Sequence, residues 1–105
     1  MRKLPTIRNK YDEAVSVTPK MREMLVECLI SPKGLLYTNT LMPSREEEGE
    51  TRTIQALEDR KLLRHVPHSG GFASYGHALT AQGREYASAL LRNKLEELEK
   101  ATVPQ

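Results

Sequence analysis

Apolar Met21, Met24, Leu25, Cys28 and Leu29 recur at i, i+3, i+4, i+7 and i+8, the spacing that gathers side chains on one face of an α-helix. Thr18 supplies an N-cap, Pro19 suits the first helical position, and Ser31-Pro32 ends the pattern. Ahead of this helix, Tyr11, Ala14 and Val15 suit a short helical face, and residues 1–10 read as a flexible basic arm. Gly34 to Thr38 predicts a very short strand. From Asn39 to Glu50 the apolar period is lost, although Ser44-Arg45-Glu46-Glu47 matches a capping box and predicts a single turn of helix. A full helix is expected from about Thr51, with Ile54 and Leu57 turned inward, Leu62 and Leu63 at its exit, and Arg52, Gln55, Asp59 and Arg60 on its free face.

Beyond it the period changes to two. Leu63 to Pro67 suits one strand and Tyr75 to Thr80 its antiparallel partner, with Pro67 placed where an edge strand tolerates a missing donor. His68 to Ser74 form the connecting loop, made adaptable by Gly70 and Gly71 and carrying Phe72 near its tip. Thr80 caps a last helix whose apolar stripe runs through Tyr86, Ala87, Leu90, Leu91, Leu95 and Leu98. The pattern therefore predicts an α+β, mostly helical chain: an arm over 1–17, one domain over 18–101 with a long C-terminal helix, and a disordered tail over 102–105.

Composition narrows the class. A chain of 105 residues fits one hydrophobic core, and the lone Cys28 excludes an internal disulfide. With no signal peptide and no long apolar run, a soluble, cytoplasmic protein is expected. The net charge of +2 says little, but its distribution is uneven. Met1 to Lys20 holds five basic and two acidic residues, and Thr51 to Arg84 again five and two, whereas Met21 to Glu50 holds three and six. No nucleophile elbow, phosphate loop, zinc-protease helix or dinucleotide fingerprint is present, and nothing in the spacing of Tyr37, Tyr75, His77 and Glu85 demands an acid and base pair. A non-enzyme without cofactor is expected. His65-x-x-His68 spans a strand and a loop, and Cys28 sits on the inner face of a distant helix, so the tight paired spacing of a structural zinc site is missing and no metal is expected.

Taken together, "TIQALEDRKLL" followed by "SGGFASYGHALTAQG" resembles the recognition helix, wing and closing "LT..G" turn of winged helix-turn-helix regulators of the MarR and PadR kind. Lys61 stands where such proteins often carry Gly. The resemblance, which covers roughly Thr18 to Leu91, implies a winged helix-turn-helix with a two- or three-stranded antiparallel wing sheet. It further implies duplex DNA as partner, because a helix fits the major groove and presents side chains to base edges. By position, Thr51, Arg52, Thr53, Gln55 and Ala56 face the groove, with Arg52 suited to guanine and Gln55 to adenine. Arg60, Lys61 and Arg64 suit phosphates, and His68, Ser69, Gly70 and Phe72 belong to the wing. The run Glu46-Glu47-Glu48 opposes this by repelling phosphate wherever it flanks the helix.

A final helix of about 20 residues, about 30 Å long, outruns one small core, so Leu90, Leu91, Leu95 and Leu98 predict a homodimer. The expected function is sequence-specific binding of double-stranded DNA by a homodimeric transcriptional regulator. The alternative is a winged-helix protein-interaction module that uses the acidic run and the final helix, without DNA.

Overall fold

The computed structural model describes residues 3–39, 43–67 and 74–102. Two short strands, β1 (Ile7–Arg8) and β2 (Ala14–Val15), precede α1 (Pro19–Ile30); β3 (Leu35–Asn39), α2 (Arg45–Asp59), β4 (Leu63–Val66), β5 (Ser74–Leu79) and α3 (Ala81–Thr102) follow. The last three strands form one antiparallel sheet in the order β3-β5-β4, with β5 in the centre. The class is α+β, as the periodicity predicted.

Local chemistry explains most boundaries. Thr18 Oγ1 accepts from the Met21 N–H, and Pro19 occupies the first turn of α1, where its absent donor has no partner to lose. At Ser44 the capping box is complete, with Ser44 Oγ accepting from Glu47 N and Glu47 Oε1 accepting from Ser44 N. Glu46, Glu47 and Glu48 lie in that first turn, where the positive end of the helix dipole favours acid. The box therefore opens a continuous helix to Asp59, and the expected single turn and the helix expected from Thr51 are one element. Among the described residues, α2 is the one helix between β3 and β4.

The N-terminal segment also departs from expectation. Instead of an arm with a short helical face, β1 and β2 pair as a ladder, Ile7 opposite Val15 and Arg8 opposite Ala14. Asn9 organises the turn by accepting from the N–H groups of Tyr11 and Glu13, and Asp12 takes a left-handed φ of 61°. Ile7 and Val17 belong to the buried core cluster, and Leu4 and Val15 pack against that cluster, so this hairpin closes one side of the core. The remaining core comes from Met21, Met24, Leu25 and Cys28 of α1, Ile54 and Leu57 of α2, Leu62, Leu63 and Leu79 at the sheet, and Tyr86 and Ala87 of α3. No described helix is long and apolar enough to cross a membrane.

One corner sets the angle between α2, the sheet and α3. The N–H of Leu62 reaches back to the Leu57 carbonyl and that of Lys61 to Glu58, a Schellman closure with Lys61 in the left-handed position at φ 61°. The Leu62 carbonyl then accepts from Thr80 N, and Thr80 Oγ1 donates to the Lys61 carbonyl while accepting from Gly83 N as the cap of α3. Gly83 is held so tightly here that a Cβ would stand 1.9 Å from the Leu62 oxygen. The "LT..G" sequence is the chemistry of this corner.

Candidate functional site

The outward stripe of α2 consists of Arg45, Glu48, Arg52, Gln55 and Asp59, one or two turns apart and all exposed, while Ile54 and Leu57 hold the opposite side in the core. Arg52 and Gln55 occupy the middle of the stripe. Thr51 and Thr53 are half-buried, and their hydroxyls donate to the Glu47 and Gly49 carbonyls of their own helix, which leaves them poor donors to an outside partner. Ala56 is half-buried against the core.

The three basic residues expected on phosphates are divided among separate surroundings. Arg60 donates from Nε to the Ser16 carbonyl at 3.2 Å and from Nη1 to the Ala56 carbonyl at 2.9 Å, tying the C-terminus of α2 to the segment after β2. Lys61 is exposed and shares a shallow recess with Arg8 and Lys10 of the N-terminal hairpin, and Lys10 lies 4.0 Å from Asp59. Arg64 alternates to the sheet face opposite its neighbour His65, where it lines a groove with Lys33 and Arg84. The wing residues His68, Ser69, Gly70 and Phe72 lie outside the described residues.

On the other face of the sheet a polar cluster joins the end of α2 to the strands. His65 and His77 are directly opposite in the β4-β5 ladder, and Thr38 lies one diagonal step away on β3. His77 is buried, with Nε2 3.0 Å from Thr38 Oγ1 and Nδ1 3.5 Å from Glu58 Oε1. Burial lowers the His77 pKa and His65 pushes the same way, while the Glu58 carboxylate pulls it up against them. His77 carries the polar work that spacing did not reveal: its alternation partners Tyr75 and Leu79 gave a strand, but the cross-strand register that brings Glu58 and His65 to it is a tertiary fact. Cys28, by contrast, is a core thiol whose pKa burial raises, donating to the Gly34 carbonyl at 3.5 Å.

Along α3, Leu90 and Leu91 are half-buried, whereas Leu95 and Leu98 are 50% and 51% exposed. Pro19 and Val26 of α1 join Leu90 and Leu91 in a mostly apolar groove of about 460 Å³, rimmed by Arg22, Glu23 and Lys94. No family model, curated protein or solved structure gives a significant match to the chain.

Proposed function

We propose that the protein binds duplex DNA as a homodimeric winged-helix regulator, with α2 as the helix that enters the major groove. The outer stripe of α2 carries this reading. Arg52 and Gln55 stand one turn apart, both exposed, on a helix whose inner face is fixed by Ile54 and Leu57. These side chains have the donor geometry that pairs with guanine and adenine edges. The element order α1-β3-α2-β4-β5-α3 and the antiparallel sheet order β3-β5-β4 support the winged part of this reading, while the described residues hold one helix between β3 and β4 where a helix-turn-helix has two.

Phosphate contacts fall to Lys61 rather than to Arg60, whose guanidinium is engaged within the fold; Arg8 and Lys10 beside it are paired with Asp12 and Asp59 at the surface, pairs that a phosphate has to displace. Arg64 faces away from α2 and contributes little to the same groove. Selection from a randomised duplex library, followed by fluorescence anisotropy, tests the proposal. Arg52→Ala should weaken the selected site by about 1–3 kcal/mol and random DNA hardly at all, because base contacts specify and phosphate contacts position. If no sequence is enriched and binding is absent at low salt, the proposal fails. The protein-interaction reading then takes its place, favoured by Glu46 and Glu48, which lie exposed in the first turn of α2 and would repel DNA there.

A further inference from the structure

Glu58, His65 and His77 come from three different elements, yet one ligand atom from each lies within 4.8 Å of the other two. His77 is the centre of this group. Its side chain is only 7% exposed, and its Nδ1 has no hydrogen-bond partner among the described residues. An orphaned imidazole nitrogen at that depth requires an explanation, since buried polar atoms in folded proteins are almost always satisfied. The Glu58 carboxylate is the nearest group, but at 3.5 Å it holds Nδ1 only weakly, well beyond the about 2.9 Å preferred by an N–H···O bond. Two ligand atoms sharing one tetrahedral ion at 2.0–2.1 Å stand about 3.4 Å apart, which is the separation found.

We propose that Glu58, His65 and His77 form a binding site for a divalent transition-metal ion, with zinc the ion that best matches two imidazoles and one carboxylate. Thr38 prepares the central ligand. With a proton on Nε2 donated to Thr38 Oγ1 at 3.0 Å, the lone pair of His77 resides on Nδ1, directed toward Glu58. His65 completes the set from the neighbouring strand. Its ring centroid lies 5.6 Å from that of His77 and 5.3 Å from that of Tyr75, and because the residue is exposed a small rotation against Tyr75 closes the remaining distance. Nitrogen donors exclude a preference for calcium or magnesium, which take oxygen, and three protein ligands leave a fourth position for water on the exposed His65 side. Bound there, the ion clamps the last turn of α2 to β4 and β5, independently of whether the helix contacts DNA.

The test uses the full chain, stripped with EDTA and dialysed into a non-coordinating buffer. Zinc titration by calorimetry should give one ion per chain, thermal melting should shift upward with zinc concentration, and cobalt should produce the visible absorption of a tetrahedral site. His65→Gln removes an exposed ligand, so its metal-free circular dichroism and melting should match the wild type while its zinc affinity falls at least tenfold and the cobalt bands disappear. Thr38→Val should weaken zinc by about 10- to 100-fold through the loss of the group that orients His77. A wild-type chain that binds no zinc, or a His65→Gln chain that binds it as tightly as the wild type with the cobalt bands intact, overturns the proposal.

Discussion

Lys61 adopts φ 61° in the closing turn of α2, where a Cβ crowds the following carbonyl and glycine meets no such penalty. Lys61→Gly should therefore stabilise the chain by about 1 kcal/mol, raising Tm by about 4–8 °C in a thermal melt; an unchanged or lower Tm would refute the strain. The periodicity carried no sign that Lys61 takes a left-handed conformation, because only the closing turn of α2 imposes it. Gly83 was legible as part of a short motif, though its cause was not: only the packed corner shows the Leu62 carbonyl at a distance no Cβ can share. Cys28 illustrates the same limit from the other side. Its place on the apolar face of α1 was plain from the period, and burial raises its pKa, so the native thiol should resist iodoacetamide at pH 8 and react only on unfolding.

Whole elements were legible where a period persisted and hidden where it did not. For α1 and α3, apolar residues return every third or fourth position over several turns, and the β4-β5 pair alternates between glycine and proline punctuation. The first half of α2 offers neither signal. Arg45 to Thr53 contains no large apolar residue, and Gly49 disfavours helix, so only the capping box marks a start. The hairpin of β1 and β2 is concealed by its brevity, because two-residue strands cannot display an alternation. Gly49 and Gly83 respond to an added methyl with opposite signs. A Cβ at Gly49 meets nothing within 4 Å on a regular helix, so Gly49→Ala should stabilise by about 0.5–1 kcal/mol. Gly83→Ala must instead push α3 away from Leu62, and chemical denaturation should show it destabilised by at least about 2 kcal/mol. Equal effects at the two sites would contradict the corner described above.

The molecule as a whole is elongated, with extents of 53 × 32 × 25 Å, and α3 accounts for much of the length at about 33 Å for its 22 residues. The metal-type cluster was illegible at this scale because its members are distant in sequence and meet only through strand register and the docking of α2. Conversely, the outward stripe with Arg52 and Gln55 was readable from one helix alone. The leucine stripe on α3 was readable too, and the structure shows where it leads: from the groove shared with α1 at Leu90 and Leu91 to the half-exposed Leu95 and Leu98. A second copy laying its α3 along this line would cover both stretches. Light scattering should then report about twice the 11.9 kDa chain mass. Replacing Leu91 and Leu95 with Lys should return the monomer, since each leucine buried from water contributes about 1.5–3 kcal/mol and the two-fold contact loses each one twice. DNA binding gives an independent reading of the same interface. If a dimer makes about six phosphate contacts, the logarithm of affinity should fall against that of salt with a slope of about −5, and the Leu91→Lys, Leu95→Lys chain should show about half that slope while retaining its helix content. A wild-type monomer at high micromolar concentration would defeat the dimer, and an unaltered salt slope in a monomeric variant would show that each α2 acts on DNA alone.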